Sequence, residues 1–179
     1  VLSDSSTGIA LILVDDNREN TILVVPGANA ALTAEEAARA LSGLWSSLDA
    51  LLVNLEVPES VVDRAIGEAN AHRIPVVLDA GPPRRCSRRI WSRATIVSPN
   101  RLETAHLVGR PVENEDQLVE AAREILAAGP RAVVIKRGRE GSLICTAEGT
   151  EEVPAIDVET VDTTGAGDTL TAVYLEALV

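Results

Sequence analysis

Short apolar runs that alternate with helical segments constrain the fold of this chain more than any other feature. Four runs are rich in Val, Leu or Ile and contain no charged residue, at positions 51–55, 75–78, 95–97 and 132–135. Such runs are typical of strands that are buried on both faces. The segments between them carry apolar residues at helical spacing, as residues 114–128 do, and parallel strands need helical crossovers of this kind. The sequence therefore predicts an α/β fold with a mainly parallel sheet and helices on both of its faces.

Composition limits the residue types that can form the core and the classes of partner that the chain can bind. The 179 residues are 46% hydrophobic but only 2% aromatic, so the core must consist of Val, Leu, Ile and Ala. Sixteen basic residues against 27 acidic ones give a net charge of −11, which argues against a nucleic-acid or anionic membrane surface. No apolar run approaches the roughly 20 residues of a membrane span, and Cys86 and Cys145 lack metal-ligand spacing. We expect a cytoplasmic protein with no nucleic-acid or membrane partner.

The N-terminal residues predict a small sheet that is separate from the main one. Apolar runs at positions 9–14 and 21–25 flank a polar stretch, which is the pattern of a β-hairpin. We assign residues 1–30 to part of a β-lid and residues 31–179 to an α/β core. The chain contains no Met, even at position 1, and it stops within an apolar helical pattern. We therefore expect the core to be incomplete at both ends.

A turn of small residues joins a predicted strand at positions 156–161 to a predicted helix at positions 169–179. The first amides of a helix lack partners within it and lie at the positive end of the helix dipole, so they can bind an anion. Gly165 and Gly167 would let these amides approach that anion closely. Asp168 would be near enough to take a proton from an attacking hydroxyl. A capped helix after a glycine-rich turn is the simpler alternative.

Polar residues follow the predicted strands at their carboxyl ends, where open α/β sheets bind ligands. Glu56 follows the first apolar run and Asp79 the second. Asn100 and Glu103 follow the third, share one face of a helix start, and offer oxygen ligands suited to a hard cation and its waters. A glycine-containing loop follows the fourth run, with Lys136, Gly138 and Gly141. The alternatives are a helix cap for Asn100 and Glu103 and a plain surface position for Glu56.

These stretches together resemble the PfkB-type carbohydrate kinases, in particular the ribokinase branch of that family. Residues 162–168 are similar to the family's DTxGAGD motif, and Asn100 with Glu103 is similar to its NxxE motif. The loop that begins at Lys136 resembles its K/T-x-G-x-x-G segment. The resemblance implies that Asp168 is the catalytic base and contacts the substrate, and that an anion hole is formed by the amides of Gly165, Ala166 and Gly167.

The same resemblance implies the ligands of the remaining site residues. Asp162 and the carbonyl of Thr164 would bind a monovalent cation, K⁺, and Glu103 would hold Mg²⁺ through water. The nucleotide ATP would contact the loops and helix start that carry Asn100, Glu103, Lys136, Gly138 and Gly141. Glu56 would contact the sugar. The N-terminal hairpin is similar to the lid that covers the sugar in ribokinases and pairs their subunits, which implies a homodimer.

The resemblance finally implies a reaction, the transfer of the γ-phosphoryl group of MgATP to the 5-hydroxyl of D-ribose. Only the lid and Glu56 favour ribose over other acceptors. Another member of the family therefore remains an alternative, such as a fructokinase, a ketodeoxygluconate kinase or a nucleoside kinase. A non-catalytic α/β nucleotide-binding fragment is an alternative of a different class.

Overall fold

The computed structural model describes residues 5–14, 20–159 and 162–176. Its first element is the predicted hairpin, in which β1 (Ile9–Val14) pairs antiparallel with β2 (Asn20–Val25). Ile9 and Ile12 point to opposite faces of this two-stranded sheet and are 56% and 43% exposed. The hairpin therefore presents apolar side chains on both faces.

The second sheet contains six strands whose order in the sheet follows their order in the chain. They are β3 (Leu51–Val53), β4 (Val76–Asp79), β5 (Ile96–Ser98), β6 (Ala132–Lys136), β7 (Ser142–Thr146) and β8 (Gly149–Val153). The strands from β3 to β6 are parallel, whereas β7 and β8 run antiparallel to their neighbours. The four apolar runs of the sequence correspond to the four parallel strands, so the predicted fold class is confirmed.

Helices lie before, between and after the strands of the six-stranded sheet. They are α1 (Ala28–Ala31), α2 (Ala34–Leu41), α3 (Glu59–Ala71), α4 (Arg88–Trp91), α5 (Arg101–Val108), α6 (Glu115–Leu126) and α7 (Ala166–Glu176). Asn114 caps α6 by accepting a hydrogen bond from the amide of Gln117. Among the described helices, none is long and apolar enough to cross a membrane.

The core lies on both faces of the six-stranded sheet because side chains alternate along each strand. Val76 and Leu78 of β4 pack in the larger cluster, which also contains side chains of α3 and α6. Val77 points to the opposite face and belongs to a smaller cluster against which Tyr174 and Leu175 of α7 pack. Helices therefore cover both faces of the sheet, as the apolar runs predict.

The predicted strand at positions 156–161 is wrong for the part that the structure describes. Residues 154–159 have no regular secondary structure, and Ile156 is 85% exposed. Positions 160 and 161 lie outside the described residues. An alternating pattern shows only which side chains share a face, and a strand also requires a neighbouring strand that accepts its hydrogen bonds. The following helix, α7, begins at Ala166, near the position expected from the glycines.

The loop between β6 and β7 depends on two glycines in left-handed conformations. A 3₁₀ turn spans Gly138–Glu140, and Gly138 and Gly141 have φ angles of 60° and 84°. A Cβ atom on Gly141 would lie 2.0 Å from the carbonyl oxygen of Val153, whereas a Cβ atom on Gly138 would meet no atom within 4 Å. Only Gly141 therefore lets the loop pack directly against the end of β8.

This contrast gives a matched pair of variants. Gly138→Ala should lower the free energy of unfolding by about 1–2 kcal/mol, because it carries only the cost of a left-handed backbone. Gly141→Ala should lower it by about 3 kcal/mol or more, since the backbone of β8 must also move. Urea unfolding followed by circular dichroism measures both. Equal losses for the two variants would contradict the close contact at Gly141.

Candidate active site

The ammonium group of Lys136 lies at the centre of a cluster at the carboxyl ends of the parallel strands. Its Nζ atom lies 2.9 Å from each carboxylate oxygen of Asp79, at the end of β4. The Oε2 atom of Glu103 is 3.9 Å from the same nitrogen. The side chains of Lys136 and Asp79 are each only 12% exposed. Burial of both charges strengthens their attraction and makes each costly to leave unpaired.

Asn100 and Glu103 form a reciprocal cap at the start of α5. The Asn100 side chain accepts from the Glu103 amide at 2.8 Å, and Glu103 Oε2 accepts from the Asn100 amide at 2.7 Å. Burial raises the pKa of the Glu103 carboxyl, although the Asn100 amide and the Lys136 ammonium act in the opposite direction. Within the described part of the chain, Oε1 of Glu103 has no hydrogen-bond partner. It is therefore the oxygen that could accept a hydrogen bond from a water molecule of a hydrated cation.

A backbone bridge joins this cap to Lys136. Asn100 pairs with Lys136 in a parallel bridge, and the Lys136 amide donates to the carbonyl of Pro99 at 2.8 Å. The bridge keeps the register of β5 and β6 and extends their pairing past the end of β5 to Lys136, the last residue of β6. Two of the sequence motifs, which are 36 positions apart, therefore meet at one edge of the sheet.

The first turn of α7 lies beside the same ammonium group. Gly165 precedes it with a φ of 77°, a conformation that favours glycine. A Cβ atom on Gly167 would be 3.7 Å from Lys136 Nζ. The amide of Ala166 donates to the carbonyl of Thr163 at 3.2 Å, so an anion at this turn must displace that bond to use the Ala166 amide. Asp168 is exposed in the same turn.

Asp162 and Thr164 form a local turn ahead of the helix. Oδ1 of Asp162 accepts a hydrogen bond from the Thr164 amide at 2.8 Å, and this bond lowers the pKa of the Asp162 carboxyl. The turn brings the carboxylate close to Thr164. Glu56, in contrast, is exposed in the loop after β3, where its amide donates to Asn54 Oδ1 at 3.2 Å.

Sequence reasoning missed two residues of the cluster, Thr171 and Ser98. Thr171 is buried in α7, and its hydroxyl lies 2.8 Å from Asp79 Oδ2 and 2.9 Å from the carbonyl of Gly167. The hydroxyl of Ser98, at the end of β5, lies 3.5 Å from that of Thr171. Two features of the sequence could have indicated them: Thr171 is a polar residue one helical turn beyond Gly167, and Ser98 lies at the carboxyl end of a predicted strand.

A groove of about 350 Å³ opens next to the cluster. Its walls come from the loop after β6, the segment after β8 and the inner side of α7, and include Lys136, Gly138, Gly141, Ile156, Gly167 and Tyr174. A cationic group and helix amides lie at one part of the groove, and aliphatic and aromatic side chains line the rest. Such a groove suits a ligand that combines an anionic group with an apolar one.

The described residues contain no cluster of three or more His, Cys, Asp or Glu that could hold a metal ion. The Glu103 carboxylate can therefore contribute to a Mg²⁺ site only together with oxygens from a ligand or from water. This arrangement fits Mg²⁺, which keeps several waters and binds through one or two carboxylates plus phosphate oxygens.

Comparisons with known proteins identify relatives of this chain. A ribokinase of Staphylococcus aureus (strain COL) is 31% identical over 176 residues, which is 98% of this chain and 58% of the relative. A deoxyribokinase of Salmonella typhi is 34% identical over 165 residues, which is 92% of this chain and 54% of the relative. An Arabidopsis thaliana ribokinase structure with ribose and ATP superposes with a TM-score of 0.83 at 27% identity, covering 98% of this chain and 57% of that one.

The chain thus spans somewhat more than half the length of these relatives. The sequence pattern that describes the pfkB family carbohydrate kinases matches residues 1–179, the whole of the chain. The cluster around Lys136, the reciprocal cap and the glycine turn of α7 lie within that match. The chain belongs to the pfkB family of carbohydrate kinases.

Proposed function

We propose that this chain carries the phosphoryl-transfer residues of an ATP-dependent sugar kinase that acts on the 5-hydroxyl of D-ribose. The single observation that supports this proposal best is the position of the Lys136 ammonium beside Gly167, at the positive end of α7. Phosphoryl transfer requires mainly positioning and neutralisation of charge. The amides at the start of α7 supply positive partial charge, and the Lys136 ammonium, although paired with Asp79, places a cationic donor beside them.

The proposed reaction assigns one step to each group. Asp168 accepts the proton of the sugar hydroxyl while that oxygen bonds to the γ-phosphorus. The bond from the γ-phosphorus to the bridging oxygen breaks, and ADP leaves. The amides of Gly165 and Gly167, with that of Ala166 once its bond to Thr163 opens, stabilise the charge on the transferring group.

Two cations complete the proposal. Glu103 Oε1 would receive a water of Mg²⁺, which neutralises nucleotide phosphates when it is bound. Asp162 and the carbonyl of Thr164 would bind K⁺ beside the glycine turn. Asn100, Gly138 and Gly141 would position the nucleotide at the groove, and Glu56 would contact the sugar. Because the reaction consumes ATP, we place it in the cytoplasm.

The acceptor sugar is the first property to test, because the relatives include both a ribokinase and a deoxyribokinase. ADP release should be measured with D-ribose, 2-deoxy-D-ribose, D-fructose, ketodeoxygluconate and a nucleoside. The assay should be run on this chain and on a longer form that matches the length of its relatives. D-ribose should give the highest kcat/KM. A preference for another acceptor would correct the substrate, and no turnover by either form would contradict the proposed activity.

The roles of Asp168 and Gly167 can be separated with two variants. Asp168→Asn removes the base and should lower kcat by about 10² to 10⁴ with little change in ATP affinity. Gly167→Ala should crowd the bound phosphoryl group and lower kcat by about 10² or more. The new methyl group would contact Lys136 Nζ at an ordinary 3.7 Å, so the fold should be retained.

The pH dependence of kcat distinguishes the loss of the base in Asp168→Asn from the crowding of the phosphoryl group in Gly167→Ala. Solvent hydroxide at high pH should partly restore turnover of Asp168→Asn but not of Gly167→Ala. Values of kcat and the nucleotide Kd across pH provide the comparison. An Asp168→Asn enzyme with nearly normal kcat would show that the base is another residue.

Dependence on K⁺ is the third expected property. An ordered cation at Asp162 and Thr164 would hold the turn that precedes the Gly165 and Gly167 amides. Turnover should therefore fall when K⁺ is replaced by tetramethylammonium at equal ionic strength. Asp162→Asn should reduce this salt effect. Equal rates in the two salts would argue against a cation at this turn.

We also propose that the hairpin of β1 and β2 forms a homodimer contact. Apolar side chains on both faces of it are about half exposed, and exposed apolar patches of this kind mark interaction sites. Light scattering should give twice the mass of the chain, and the double variant Leu11→Ser/Leu23→Ser, which alters an opposed pair on one face, should lower it. A monomeric mass for the unmodified protein would contradict this contact.

A further inference from the structure

Asp79 has no role in the proposed reaction, although its carboxylate contacts both Lys136 and α7. Its Oδ1 atom accepts from Lys136 Nζ at 2.9 Å and from the Gly81 amide at 3.1 Å. Its Oδ2 atom accepts from the same ammonium at 2.9 Å and from the Thr171 hydroxyl at 2.8 Å. Both oxygens are therefore already occupied by donors of the protein.

We infer that Asp79 is a positioning residue, which holds the Lys136 ammonium and the Thr171 hydroxyl together and so fixes the first turns of α7 at the ends of β4 and β6. The inference deepens the proposed function, on which its catalytic consequence rests. Asp79 itself would touch neither the sugar nor the nucleotide. It would act only through the two side chains that it binds.

The first part of the argument concerns Lys136. A buried carboxylate and a buried ammonium stabilise each other. Removal of one leaves the other charge buried without a partner, which lowers the stability of the folded protein. The nearest other carboxylate to Lys136 Nζ is that of Glu103, at 3.9 Å. If Asp79 lost its charge, the ammonium would move towards Glu103 and away from Gly167. Asp79 therefore sets the position of the cation beside the transferring group.

The second part concerns Thr171. Its hydroxyl carries one proton but lies within hydrogen-bond distance of two acceptors, Asp79 Oδ2 at 2.8 Å and the Gly167 carbonyl at 2.9 Å. The carboxylate is the stronger acceptor because it is charged. The contact spans 92 positions of sequence and ties α7 to β4. A displacement of about 1 Å in a catalytic group can cost about 10²-fold in rate. Loss of this hydrogen bond should therefore lower kcat.

Variants at Thr171 test the hydrogen bond between α7 and Asp79 without changing any charge. Thr171→Val keeps the shape but removes the hydroxyl, and it should lower kcat by about 10-fold to 10²-fold with little change in the KM for ATP. Thr171→Ser restores the hydroxyl and should restore kcat. Thr150→Val is the matched control, since the Thr150 hydroxyl donates to Cys145 Sγ within the hairpin of β7 and β8 and belongs to none of the proposed site residues. This control should keep turnover near that of the unmodified protein.

Hydrogen exchange of the α7 amides supplies a readout that does not require turnover. In the ligand-free protein, Asp79→Asn and Thr171→Val should both speed exchange in α7, whereas Thr171→Ser and Thr150→Val should not. Combining Asp79→Asn with Lys136→Met should lower kcat by less than the product of the two single losses, because Asp79 acts on the phosphoryl group partly through Lys136.

The outcomes separate this inference from the proposed function. If the unmodified protein phosphorylates no sugar, the proposed function fails, and exchange in α7 still decides whether Asp79 holds the helix. If turnover is present but Asp79→Asn and Thr171→Val leave both kcat and exchange unchanged, the inference is wrong and the function stands. Faster exchange with unchanged kcat, or failure of Thr171→Ser to restore kcat, would reduce Asp79 to a structural residue and would overturn the positioning role.

Discussion

The ion pair between Lys136 and Asp79 is the contact on which the arrangement of the site depends. Two buried charges are stable here because each neutralises the other and because further donors surround the carboxylate. The strands that carry them, β4 and β6, are separated in the sheet by β5. The pair therefore fixes the edge of the sheet across three strands. It also places the Lys136 ammonium next to the glycine turn of α7.

The same carboxylate connects the phosphate side of the site to the loop expected to contact the sugar. The Gly81 amide donates to Asp79, and the Gly81 carbonyl accepts from the Leu55 amide at 2.8 Å. Glu56 follows directly in that loop. The bond between the Leu55 amide and the Gly81 carbonyl and the bond from the Gly81 amide to the Asp79 side chain thus link the loop after β3 to the cluster around Lys136.

The sequence predicted the parallel strands because each carries a short apolar run; β4 and β5 are buried on both faces, whereas Leu52 of β3 is 40% exposed. It also predicted that Asn100 and Lys136 would meet, since the carboxyl ends of neighbouring parallel strands lie at one edge of the sheet. The prediction of a strand at positions 156–161 was wrong because alternating apolar and polar residues do not show whether a neighbouring strand is present. The contact of Thr171 with Asp79 could not be predicted, because it joins residues 92 positions apart through the packing of one helix turn.

In the proposed function, the first turn of α7 binds the transferring phosphoryl group and the loop after β6 positions the nucleotide. Amide NMR of the ¹⁵N-labelled protein during titration with MgATP tests both contacts, because each glycine of the two segments reports separately. The largest saturable shifts should occur at Gly165, Gly167, Gly138 and Gly141. Saturable shifts confined to other parts of the chain, with these four amides unchanged, would contradict both contacts.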